Sequence, residues 1–159
     1  MIKTGDRIPA AELATMDDNG VRRISTDDIF QGKRVVLFAV PGAFTPTCSA
    51  KRLPGFVAKA ERFTEKGVDT VACLSVNDVF VMDAWGKDQS AQGKVLMLAD
   101  GNGDFAKALQ LDMDARGFGM GLRSQRFALV ANDGVVEKIF VEAPGEFRVS
   151  SAEHVLENL

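Results

Sequence analysis

Cys48 stands in the stretch Pro41-Gly42-Ala43-Phe44-Thr45-Pro46-Thr47-Cys48-Ser49, directly behind the apolar run Val35-Val36-Leu37-Phe38-Ala39-Val40. A cysteine does covalent chemistry as its thiolate, so what matters is whatever favours the charge. Thr45 suits an N-cap, and Pro46 then takes the first helical position, where its missing N–H costs nothing. Cys48 becomes the third helical residue, inside the turn whose backbone N–H groups lack intrahelical partners. Those donors and the positive end of the helix dipole favour a thiolate over a thiol. The plainer alternative is a cysteine that packs as a small hydrophobe. The cap, the proline and the loop together favour reactivity.

Other chemistries have less support. The second cysteine, Cys73, is 25 positions away and matches no zinc or CxxC spacing. The lone histidine, His154, falls on the last helix, far along the chain from a site that would need it as a base for Cys48. No metal site is expected. The 159 residues fit one domain, 1–159, with 46% hydrophobic and 26% charged residues. A net charge of -3 gives no electrostatic reason to bind nucleic acid or an anionic membrane. No apolar stretch approaches the length of a membrane span, and Met1 to Asp6 lacks the apolar region of a secretory signal. A cytoplasmic setting with reduced thiols is the expectation.

The elements that must hold Cys48 follow from pattern. Leu13–Met16 and Val21–Ile24 flank Asn19-Gly20 as a hairpin. Ser25 to Asp28 reads as a capped helical turn. The strand at 34–40 feeds the Cys48 loop and a helix from Pro46 to about Lys66, which Pro54-Gly55 should bend just after its second turn. Further strands are expected at 69–76 and 94–99, with helices after Asn77-Asp78 and through Phe105 and Leu109. Residues 112–121 are glycine-rich. A second hairpin turns at Asn132-Asp133-Gly134, and Ser150 with Glu153 fits a capping box for the last helix. This is the order of an α/β, thioredoxin-like fold: a central mixed sheet flanked by helices, with an added N-terminal hairpin and an inserted helix. Its sites lie at the carboxyl ends of strands, where Cys48 falls.

Pro41, Thr45 and Cys48 form a Pro-x-x-x-Thr-x-x-Cys motif, and Arg126 precedes Phe127 at the start of a strand. In these residues, in Cys73 to Asp78 and in Arg123 to Leu129, the chain resembles the type II, peroxiredoxin-5-like peroxiredoxins. The resemblance runs the length of the chain. It implies reduction of hydrogen peroxide and alkyl hydroperoxides without a metal or bound organic cofactor, through a Cys48 sulfenic acid. It also implies donors around the peroxide: the Thr45 hydroxyl, the backbone N–H groups of Thr47 and Cys48, and the Arg126 fork, with Pro41 shielding the sulfur. Arg123, three residues earlier, is read as structural or solvent-facing. Phe44, Phe118 and Leu122 are either an apolar wall that admits organic hydroperoxides or simple core.

Cys73 matches the second cysteine of plant-like members, a candidate resolving residue. Its mid-strand position makes a bond to Cys48 depend on local unfolding, so recycling by glutathione and glutaredoxin is favoured, with thioredoxin as the other reductant. Relatives of this type also imply a homodimer through the active-site side. Two other readings share the residues: a peroxide sensor or redox relay with the same first oxidation, and a non-catalytic interaction domain, against which the intact Pro41, Thr45, Cys48 and Arg126 set argues.

Overall fold

Along Arg34–Val40 (β3), Val36, Phe38 and Val40 face one side of a sheet while Val35, Leu37 and Ala39 face the other, and all six are fully buried. A strand covered on both faces is the natural home of such a continuous apolar run. The computed structural model describes residues 1–159. Around β3 it assembles β1 (Glu12–Asp17), β2 (Gly20–Ser25), β4 (Thr70–Ser75), β5 (Leu96–Ala99), β8 (Phe127–Asn132) and β9 (Val135–Val141) in the order β2-β1-β5-β4-β3-β8-β9. β3, β4 and β5 run parallel; β8 and β9 pair antiparallel beyond β3, and the β1–β2 hairpin joins the far edge antiparallel to β5. The remaining strands, β6 (Asp112–Asp114) and β7 (Leu122–Ser124), form a separate two-stranded ribbon in the glycine-rich stretch.

Helices α1 (Thr26–Phe30) and α5 (Asp104–Ala108) cover one face, with Ile29, Phe30, Phe105 and Leu109 packed on Leu37, Leu74 and Leu129. The other face is covered by α2 (Leu53–Ala58), α3 (Ala60–Glu65), α4 (Val79–Asp88) and α6 (Ala152–Glu157). Cys48 and Cys73 both lie in this second layer. No helix is long and apolar enough to cross a membrane.

The helix that carries Cys48 departs from expectation in a way that bears on the site. The first irregularity precedes Pro54: Cys48–Arg52 is wound as a π-helix, with the Leu53 N–H donating to the Cys48 carbonyl. Pro54 has no N–H for the Ala50 carbonyl and its ring crowds that group, so the strain is relieved by widening the turn on its amino side. A second break comes at Lys59, between α2 and α3. At the last helix the cap is Ser151, whose Oγ accepts the His154 N–H, and not Ser150. Ser150 is drawn away because its hydroxyl and N–H both donate to the Glu142 carboxylate.

Candidate active site

β3 delivers the chain to Pro41 at the carboxyl end of the parallel strands, and the loop 41–45 turns it into the helix of Cys48. Gly42 is required there by close approach. A Cβ at that position would lie 3.0 Å from Met120 Cε and 3.1 Å from Thr45 Cγ2. Phe44 adopts φ 61, a left-handed conformation costly for a non-glycine residue, and its ring is half exposed. The loop is held by Asn77, whose Oδ1 accepts the Ala43 N–H at 3.0 Å and lies 2.6 Å from the Ser75 hydroxyl. Asp78 alone caps α4, accepting the Val81 N–H. Asn77 therefore serves the loop, a role that its place beside the helix start concealed.

Thr45 does not cap by its side chain. Its Oγ1 donates to the Gly42 carbonyl at 2.7 Å, while its own carbonyl accepts the first helical bond from the Ser49 N–H. The helix begins as expected, but the hydroxyl is turned back on the loop, with its lone pairs uncommitted within the protein. Cys48 itself is fully buried. Next to it, the Ser49 Oγ accepts the indole N–H of Trp85 at 3.0 Å.

Arg126 precedes β8. Phe127 pairs with Ala39, so Arg126 comes abreast of the end of β3, where the chain leaves for Pro41. Its Nη1 donates to the Glu146 carbonyl at 2.9 Å and its own carbonyl accepts the Glu142 N–H. Its Nε is buried and has no partner. The segment that holds it is organised by Glu142, a buried carboxylate that accepts from the Arg148 N–H, the Ser150 N–H and the Ser150 hydroxyl. Burial opposes the charge on Glu142, but the Ser150 and Arg148 donors outweigh it and hold the carboxyl below its ordinary range. Arg123 donates to the Met120 and Val76 carbonyls, fastening the β6–β7 ribbon to the end of β4, and its Nη1 lies against the loop, 3.5 Å from where a Cβ of Gly42 would stand.

The sequence reading missed Arg52. It is fully buried, with Nη1 donating to the Ala39 carbonyl at 2.8 Å and Nη2 to the Phe127 carbonyl at 2.6 Å. Its guanidinium lies over Phe38, 5.5 Å from the ring centroid. Burial pushes it down to about 9, with Cys48 first among the groups that hold it up. Cys48, Arg52 and Phe56 recur every four residues, so Arg52 falls on the buried stripe of the helix. That spacing was the available signal.

Cys73 is held on both sides by strand pairing, opposite Phe38 and Met97. Burial raises its thiol well above the usual range, and nearby Arg52 does not offset this. Both cysteines are free. Of the three apolar candidates, Phe44 and Phe118 are surface residues, 51% and 84% exposed, whereas Leu122 is half buried and packs beside Gly103 and Val76. His154 meets the Phe140 ring edge-on from α6.

A family model described as Redoxin matches residues 3–156. Peroxiredoxin-2C of Arabidopsis thaliana is 46% identical over 159 residues, spanning 99% of this chain and 98% of that relative. The chain belongs to the type II peroxiredoxins. Reduced Prx3 from Vibrio vulnificus, solved in complex with hydrogen peroxide, is similar at 51% identity and a TM-score of 0.96, covering 99% of each chain. Peroxiredoxin 5 from Alvinella pompejana is similar at 32% identity and a TM-score of 0.87, covering 99% of this chain and 97% of that one. This peroxiredoxin is a thiol-dependent peroxidase with Cys48 as its peroxidatic cysteine. A groove of about 850 Å³ between α3, α4 and β5 includes none of the residues from Pro41 to Arg52 nor Arg126. A peroxide needs no such volume.

Proposed function

We propose that the protein reduces hydrogen peroxide and alkyl hydroperoxides at Cys48, with Thr45, Arg126 and Pro41 shaping the reaction, and that glutathione and glutaredoxin restore the thiol. The Cys48 sulfur attacks the distal peroxide oxygen, the O–O bond breaks, and hydroxide or alkoxide leaves and takes a proton from water. Cys48 is left as a sulfenic acid. Charge moves from sulfur to oxygen in this step, so fixed donors at the oxygens lower the barrier. The observation that carries the reading is Arg126, a guanidinium fixed by Glu146 yet keeping a buried, partnerless Nε beside the end of β3. Buried orphan donors are rare, and one at a reaction site is a donor held for a ligand. Thr45 Oγ1 and the Thr47 and Cys48 N–H groups supply the other polar contacts, and Pro41 walls the sulfur from water. The exposed Phe44 and Phe118 rings, with the half-buried Leu122, offer apolar surface that suits organic hydroperoxides.

In recycling, a glutathione thiolate attacks the sulfenic sulfur and expels hydroxide, which takes a proton from solvent to become water. A second thiol, from glutaredoxin or glutathione, then takes the glutathionyl group as a disulfide and releases Cys48. The buried, strand-locked Cys73 is outside this cycle; it would resolve Cys48 only after the Cys48 turn opened. Two free thiols suit a reducing, cytoplasmic setting. We also propose that residues 1–159 act as one domain and pair as a homodimer through the active-site end, where Phe44, Phe80 and Phe118 are exposed. Trp85 is buried and takes no part.

The test is intact mass after one equivalent of hydrogen peroxide, with and without a sulfenic-acid trap, followed by turnover with glutathione and glutaredoxin. A trapped Cys48 adduct and steady turnover support the proposal. Oxidation without turnover by glutathione, glutaredoxin or thioredoxin favours a redox relay, and a loss of two hydrogens mapped to Cys48–Cys73 makes Cys73 the resolving residue.

A further inference from the structure

Arg52 is a buried cation without an ion pair: no carboxylate oxygen comes within salt-bridge distance, and its Nε has no partner. The two buried side-chain atoms left without partners in the molecule are the Nε atoms of Arg52 and Arg126. Guanidinium groups are almost never fully buried unless paired, because desolvating the charge is costly. Some group must therefore answer this charge.

The elements packed against Arg52 offer few choices. Ala39 and Phe127 contribute carbonyls, and Phe38 and Phe147 contribute ring faces at 5.5 and 6.0 Å. Arg126 is a second cation and adds to the difficulty. Glu142 is committed to Arg148 and Ser150. Cys73 stays a thiol because burial raises it. Cys48 remains, one helical turn before Arg52 and in the same buried layer.

We infer that Arg52 is the counter-ion of the Cys48 thiolate on the core side, a positioning residue that acts from beneath the sulfur while Arg126 faces the entrance. Its two carbonyl bonds also tie the Cys48 helix to Ala39 and Phe127, the pair at the adjoining ends of β3 and β8. One guanidinium thus sets the height of the sulfur against the strand that follows Arg126 and favours its charge. This rests on the peroxidase reading of Cys48 and deepens it.

The experiment compares ultraviolet thiolate absorbance and the rate of Cys48 alkylation at neutral pH in the wild type and in Arg52→Met, with Cys48→Ser as blank and circular dichroism as the control for folding. The thiolate signal and the alkylation rate are expected to fall about tenfold in Arg52→Met, and the rate to recover as pH is raised. A folded Arg52→Met with an unchanged thiolate signal overturns the inference, leaving Arg52 a purely structural tie. Should Arg52→Met fail to fold, the wild type decides: the Nε–H resonance of Arg52 is expected to move as Cys48 is ionised and to stay still in Cys48→Ser. A resonance indifferent to Cys48 overturns the inference. Neither readout uses peroxide, so failure of wild-type Cys48 to form a sulfenic acid would count against the peroxidase reading alone.

Discussion

The indole N–H of Trp85 donates to the Ser49 hydroxyl at 3.0 Å, which fastens α4 to the residue next to the peroxidatic cysteine. Trp85 is fully buried and is the sole tryptophan. Any opening of the π-wound turn must break this bond. Because Cys48 is buried, a bulky reductant reaches its sulfur only through such an opening. Oxidation of Cys48 followed by glutathione is therefore expected to shift and reduce Trp85 emission, in step with formation of the mixed disulfide. Stopped-flow fluorescence checks this, and Cys48→Ser should give a flat trace.

Glu142 supports Arg126 from behind. Its carboxylate gathers the Arg148 N–H and two Ser150 donors, and the loop so formed presents the Glu146 carbonyl to Arg126. Glu142→Ala should cost about 2 kcal/mol of stability, by loss of hydrogen bonds to a charged acceptor. It should also slow peroxide reduction by freeing Arg126. Urea unfolding and stopped-flow rates measure the two effects separately.

The same residue sets an acid limit. Its folded-state carboxyl lies below the ordinary range, so the unfolded chain binds the proton more readily. The stabilisation is fully present above the unfolded value of about 4.3 and is lost as pH falls through the lower folded value. Unfolding free energies measured from neutral to acid pH should fall less steeply in Glu142→Gln than in the wild type.

Gly42 leaves little room for a side chain. The Met120 methyl can swing aside, but Thr45 Cγ2 can move only by turning the hydroxyl that donates to the Gly42 carbonyl. Gly42→Ala should lower the rate constant with hydrogen peroxide by about fivefold, through displaced donors, with little change in melting temperature. A larger loss of stability than of rate would mean that the loop is held by packing rather than by its polar contacts.

Cys73 should be dispensable for turnover. Its position between Phe38 and Met97 and its raised thiol both argue that it stays reduced during the cycle. Cys73→Ala is expected to keep glutathione–glutaredoxin turnover within about twofold of the wild type. It should lose about 1 kcal/mol in stability, as a small buried group is removed. Steady-state assays and thermal melts cover both.

Local pattern alone determined the seven strands of the main sheet, both hairpins, the cap of α1 and the placing of Cys48 behind β3, because burial period and turn chemistry are properties of neighbouring residues, whereas the short β6–β7 ribbon was not legible in its glycine-rich stretch. The motif Pro41, Thr45, Cys48 was legible for the same reason, and Arg126 by its likeness to a known family. Tertiary structure decided what depends on partners distant in the chain. Ser150 lost the capping role to Ser151 because Glu142 claimed it, and Asn77 turned to Ala43 across 34 positions. Spacing places Arg52 on the buried stripe of its helix, but only the fold brings Ala39, Phe127 and Phe38 around its guanidinium. A side chain's type says what it can donate or carry; only packing says which acceptor is left when water is gone.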